Sequence, residues 1–120
     1  MKIGVIGLGK LGCSMFAAFA ASGNEVVGYD VNLESRNKLK KNIQPVFETN
    51  LQKELELGFE NYQLVDNSSK VIEKSDVIYI IVPTPSLEDG TFDTSYLENV
   101  IEEILHVDFC CKNKLLVITS

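Results

Sequence analysis

The chain has 120 residues, of which 45% are hydrophobic and 23% charged. That length allows one domain at most and argues against a complete two-domain enzyme. It can remove about 65% of the unfolded surface from water, so the composition is that of a folded chain, not a disordered one. The net charge of −6 argues against a nucleic-acid partner, which needs a basic face.

Residues 2–6 read as a short buried strand. Residues 11–22 read as an alanine-rich helix, closed by Gly23 where a left-handed residue is wanted. Leu11, Met15 and Phe19 mark one side of it and Phe16, Ala17 and Ala20 another, so the expectation is a helix buried on several sides. Lys10 and the glycines at 4, 7, 9 and 12 interrupt this apolar start, so a signal peptide is not expected. Residues 25–29 form a second strand, and residues 33–41 a polar helix with Asn32 as its N-cap.

A connection over residues 42–62 holds Pro45 and one short helix, with Thr49 and Gln52 spaced as a capping box and Gly58 as a stop. Residues 63–65 make a weak strand and 69–74 a short helix. Residues 76–82 carry the clearest strand, Val77 to Val82 without a polar break. Such a run predicts a strand covered on both faces. Pro83, Thr84 and Pro85 end it, and Asp89-Gly90 marks a turn. Ser95 and Glu98 form a second capping box, opening a helix to about residue 105, and residues 115–119 are the last strand. The alternation predicts an α/β fold with a doubly wound parallel sheet of the Rossmann type. Such a sheet continues past a fifth strand, so the chain is expected to end inside its fold and leave residues 115–118 as an apolar edge.

The cysteines, Cys13, Cys110 and Cys111, form neither a disulfide framework nor a zinc-ligand spacing, and His106 is the only histidine. Reduced thiols, a cytoplasmic location and no metal site are expected. No stretch reaches the ~18 apolar residues of a membrane span. His106 offsets a helix dipole, while Glu54, Glu56, Glu60, Glu102 and Glu103 read as solvated helix faces and Tyr79 as core.

The strongest motif is Gly7-Leu8-Gly9-Lys10-Leu11-Gly12, a G-x-G-x-x-G between the first strand and the first helix. Gly7 permits the tight turn, Gly9 lets a pyrophosphate approach the backbone, and Gly12 lets the helix pack close. The helix N-terminus offers free N–H groups to the phosphates. Asp30 ends the second strand, 18 residues after Gly12. A carboxylate there accepts the adenosine ribose hydroxyls and repels a 2′-phosphate, which predicts NAD over NADP. Lys10 reads equally as a solvated loop residue. Pro83-Thr84-Pro85 lies on the same sheet edge and reads either as a cofactor contact through the Thr84 hydroxyl or as a strand terminator.

These residues resemble the UDP-glucose/GDP-mannose dehydrogenase family, the nucleotide-sugar 6-dehydrogenases. Residues 1–12 are similar to the family's opening, which related β-hydroxyacid dehydrogenases share. More specific are Pro45-Val46-Phe47-Glu48 with Leu51, and Val82-Pro83-Thr84-Pro85 followed by Asp89-Gly90, Asp93, Ser95 and Tyr96. Thr119-Ser120 resembles the start of a further family segment. The resemblance implies NAD-dependent oxidation of a sugar C6 alcohol to the carboxylate, in a full-length protein that is a homo-oligomer acting on a nucleotide sugar. It implies cofactor contacts at Gly7, Leu8, Gly9, Lys10, Leu11, Gly12, Asp30, Arg36, Pro83, Thr84 and Ser120. The family's nucleophilic cysteine, catalytic lysine and sugar-binding residues lie beyond this stretch, so no catalytic residue is expected here. The alternatives are the cofactor domain of a 6-phosphogluconate-type dehydrogenase and a stand-alone dinucleotide-binding module.

Overall fold

A computed structural model of the chain describes residues 2–81, 98, 102 and 114–119. Among the described residues five strands build one sheet: β1 (Lys2–Ile6), β2 (Glu25–Tyr29), β3 (Tyr62–Leu64), β4 (Val77–Ile81) and β5 (Leu115–Thr119). Their order is β3-β2-β1-β4-β5 and every pairing is parallel. This is the predicted doubly wound arrangement, with the first strand at its centre.

Four helices join the described strands: α1 (Lys10–Ala21), α2 (Leu33–Lys40), α3 (Leu51–Leu57) and α4 (Ser68–Lys74). On one face of the sheet Phe16, Ala17 and Ala20 of α1 pack with Leu51 and Leu55 of α3, Leu39 of α2 and Val5 and Val26 of the strands. On the other face Val71 and Ile72 of α4 pack against Ile6, Val27, Ile78 and Ile80. Alternate strand residues point to opposite faces, so a single sheet serves two cores.

β1, β2 and β5 begin and end where their residue patterns predict. The apolar run of β4 is not covered evenly. Ile78 and Ile80 are buried, while Val77, Tyr79 and Ile81 are half-buried, and the Tyr79 ring lies 5.3 Å from that of Phe19. Nor is α1 buried on several sides: its buried face is Gly12, Cys13, Phe16, Ala17 and Ala20, and Leu11 is exposed. Small residues on that face let the helix sit close to the strands, which concentrates its burial in one stripe.

The expected capping box at Thr49 and Gln52 does not form. Asn50 is the N-cap of α3, at φ 66° and with no side-chain cap bond. Gln52 instead donates to Asn42 O (2.6 Å) and accepts from Gln44 N–H (2.9 Å). Asn42 in turn donates to Tyr62 Oη and to Leu55 O, both at 2.9 Å, and Tyr62 Oη donates to Leu39 O (2.6 Å). These bonds tie the irregular connection to α2, α3 and β3, and that tertiary demand overrides the local capping pattern. At the far end of the sheet, the Lys114 ammonium donates to Ile72 O (2.5 Å) and Ser75 O (2.6 Å), closing the C-terminus of α4 with a cation.

Glu98 and Glu102 are helical and exposed. Val82, Pro83, Thr84, Pro85, Asp89, Gly90, Ser95, Tyr96, Glu103, His106, Cys110, Cys111 and Ser120 lie outside the described residues.

Candidate functional site

The carboxyl ends of β1 and β2 bring the glycine loop and Asp30 together. Gly7 adopts φ +100°, and its N–H donates to Tyr29 O (2.8 Å), extending the β1–β2 ladder by one bond. A Cβ at Gly7 would stand 1.7 Å from Ile81 O, and one at Gly12 would stand 1.8 Å from Gly7 O. Both positions are therefore closed by the protein's own backbone. Gly9 is the opposite case, with nothing among the described residues within 4 Å of where its Cβ would be. The three glycines thus divide into two that let the turn and helix close and one that keeps a surface open.

That open surface is the start of α1. Gly9 is its N-cap, no side chain caps it, and its first turn holds no acidic residue. The first intrahelical bond is Cys13 N–H to Gly9 O (2.8 Å). The preceding N–H groups have no partner within a helix of this geometry and present a partial positive charge. An anion with several oxygens fits such an end.

The Asp30 carboxylate is placed beside the loop by two backbone donors. Leu8 N–H reaches Oδ2 and Asn32 N–H reaches Oδ1, each at 2.7 Å. Asn32 then caps α2 by accepting from Ser35 N–H (3.2 Å), as its residue type predicts. A carboxylate offers about four acceptor positions, so about two remain for other donors such as a ribose diol.

The remaining expected contacts separate. Leu8 is buried, its side chain in the core and its N–H on Asp30. Lys10 is exposed, and Leu11 is exposed in the first turn of α1. Arg36 lies over the ring of Tyr29, 5.4 Å from its centroid, and its Nε is buried with no hydrogen-bond partner among the described residues. Its charge also reaches Asp66, whose carboxyl is held below its usual value chiefly by the hydrogen bond and charge of Lys70, 2.8 Å away. Arg36 therefore stands over the residue before Asp30. Val31 and Leu33 are exposed apolar residues directly after Asp30. The sequence pattern assigns them no role.

Cys13 is fully buried in α1. Burial, and secondarily the charge of Asp30, push its thiol up to about 12, so it holds no thiolate near neutral pH. Among the described residues no group of three His, Cys, Asp or Glu side chains is placed to hold a metal ion, and no helix is long and apolar enough to cross a membrane.

A parallel sheet ordered 3-2-1-4-5, a glycine loop opening onto a helix N-terminus and an acid at the end of the second strand together define a dinucleotide-binding domain. Residues 1–120 match the model of the UDP-glucose/GDP-mannose dehydrogenase family, NAD binding domain, and the chain belongs to that family. This separates it from the 6-phosphogluconate-type dehydrogenases, and its cofactor is NAD. It is 33% identical over 106 residues to GDP-mannose 6-dehydrogenase of Pseudomonas aeruginosa, covering 87% of this chain and 24% of that protein. It is 33% identical over 109 residues to UDP-N-acetyl-D-mannosamine dehydrogenase of Pyrococcus horikoshii, covering 89% and 26%. The solved ternary complex of GDP-mannose dehydrogenase from Pseudomonas aeruginosa superimposes with a TM-score of 0.91 at 29% identity, over 98% of this chain and 28% of that one. The chain spans about a quarter of the length of these relatives.

Proposed function

We propose that this chain is the cofactor-binding part of a dehydrogenase that oxidises the C6 alcohol of a UDP- or GDP-sugar to the carboxylate. The observation that carries the reading is the open ground at Gly9, against the backbone-filled positions of Gly7 and Gly12. A glycine with free space on a helix N-terminus gives a pyrophosphate direct access to N–H donors. NAD would supply the hydride acceptor chemistry. The 7–12 loop would bind its pyrophosphate, Asp30 its adenosine ribose, and Val31 and Leu33 would give the adenine an apolar wall. In this reading Pro83, Thr84 and Ser120 complete the cofactor contacts, and Arg36 acts through Tyr29, on which it lies.

Oxidation beyond the aldehyde needs a thiolate that adds to the carbonyl carbon. Cys13 is unsuited to that task, being buried and with its thiol pushed up to about 12. As the family resemblance implies, and with the chain spanning about a quarter of its relatives' length, the reading assigns the nucleophile and the sugar-binding residues to the family's further length. It also carries a cytoplasmic, homo-oligomeric full-length enzyme that makes uronic-acid precursors for polysaccharides.

Titration calorimetry with NAD and NADP tests the cofactor part. NAD is expected to bind, and NADP at least about tenfold more weakly, because a 2′-phosphate would face the Asp30 carboxylate. Equal affinities would remove Asp30 from the ribose. No heat with NAD would overturn the reading.

A further inference from the structure

The bonds of Asp30 reach further than a ribose. We propose that Asp30 is also the positioning residue of the glycine loop, holding it ready for a pyrophosphate whether or not a ribose is bound. This rests on the cofactor reading above and assigns Asp30 a second task within the same site.

Two consecutive N–H groups leave β1 and are pinned to the end of β2. Gly7 N–H bonds Tyr29 O at 2.8 Å, and Leu8 N–H bonds Asp30 Oδ2 at 2.7 Å. Among the described residues the next bond along the chain is Cys13 N–H to Gly9 O, which already belongs to α1. Among the described residues the loop between strand and helix is therefore fixed at Leu8 by one side-chain carboxylate. That bond has a charged acceptor, and charge-assisted bonds are roughly twice as strong as neutral ones. The Leu8 side chain is buried, so the residue is held at both its backbone and its side chain.

The other oxygen of the same carboxylate extends the connection. Asn32 N–H bonds Oδ1 at 2.7 Å, and Asn32 Oδ1 accepts from Ser35 N–H at 3.2 Å. Asp30 therefore joins the loop before α1 to the cap of α2. Neutral substitutes break this link. Alanine offers no acceptor, and asparagine offers one oxygen and an NH2 group that would face the second N–H.

The test uses the full chain, its Asp30→Ala and Asp30→Asn variants, NAD, and an NAD analogue with a 2′,3′-dideoxyadenosine moiety. The analogue keeps the pyrophosphate and lacks the hydroxyls that Asp30 would accept. Asp30→Ala is expected to weaken the analogue about tenfold, and NAD by more than that. If both chains bind the analogue equally while NAD is weakened, the positioning role is overturned and the ribose contact stands. If the unaltered chain does not bind NAD, the cofactor reading fails and the positioning role fails with it. A second measurement needs no ligand. The Leu8 amide is expected to exchange its hydrogen at least tenfold faster in Asp30→Asn than in the unaltered chain, with the Val5 and Val27 amides unchanged. Equal exchange at Leu8 would overturn the proposal.

Discussion

Alanine at Gly9 and alanine at Gly12 should change stability in opposite directions. A Cβ at Gly12 would lie 1.8 Å from Gly7 O and 2.9 Å from Gly7 C, against an ordinary contact of 3.4 Å or more. Both sides of that clash are backbone, so no side chain can rotate away, and α1 must shift from the loop. Overpacking of this kind costs about 1–3 kcal/mol. Gly9 has φ −75° and ψ −159°, an extended conformation open to alanine, and its Cβ would meet nothing among the described residues within 4 Å. Restricting the unfolded chain there should stabilise the fold by about 0.4–1 kcal/mol. The same methyl would occupy ground needed by the pyrophosphate, and a tenfold loss of NAD affinity corresponds to about 1.4 kcal/mol. Urea denaturation and NAD calorimetry on both variants read the two quantities. The reasoning is refuted if Gly9→Ala loses as much stability as Gly12→Ala, or if it binds NAD as tightly as the unaltered chain.

Other features give separate expectations. The Cys13 thiol should resist Ellman's reagent at pH 8 in the native chain and react at once in denaturant. Burial pushes the folded thiol up to about 12, above its ordinary value of 9.0, so its contribution to stability is full below pH 9 and is lost as pH rises towards 12. Cys13→Ala should accordingly flatten the alkaline limb of a stability profile, and an unchanged limb would count against that account. Lys114→Met removes the donor from Ile72 O and Ser75 O. It should cost about 1–2 kcal/mol in denaturant titration, and a change below about 0.3 kcal/mol would show the contact to be idle. Tyr62→Phe leaves Leu39 O without its donor and takes one acceptor from Asn42. The expected cost is about 1–2 kcal/mol, again by denaturation, and a neutral result would contradict the network.

The parts of this fold legible in the sequence are those set by local chemistry. β1, β2 and β5 match to the residue because short apolar runs are bounded by charged, polar or glycine residues. Gly23 takes φ +94° after α1, as a helix end requires. What sequence could not show depends on residues brought together across the chain. Thr49 and Gln52 carry a valid capping pattern, yet Gln52 serves Asn42 and Gln44. Asn67 caps α4 by accepting from Lys70 N–H (2.9 Å), starting that helix one residue before the apolar pattern does. Tyr62 reads as connection because its strand role depends on pairing with Val26. In the site, the glycines and Asp30 were legible from spacing, but the bond between Asp30 and Leu8 spans 22 residues and has no local signature. Arg36 shows the same limit, since its position over Tyr29 depends on how α2 docks.

The central place of β1 also sets a schedule for synthesis. Its partner β2 follows closely, while β4, which pairs with its other edge, begins about 50 residues after β2 ends. At roughly 5–20 residues per second that is a wait of about 2–10 seconds. Through that interval Val5 and Ile6 sit in a strand with one edge still unpaired. Any factor that shelters this domain during translation would therefore act between the emergence of β2 and that of β4.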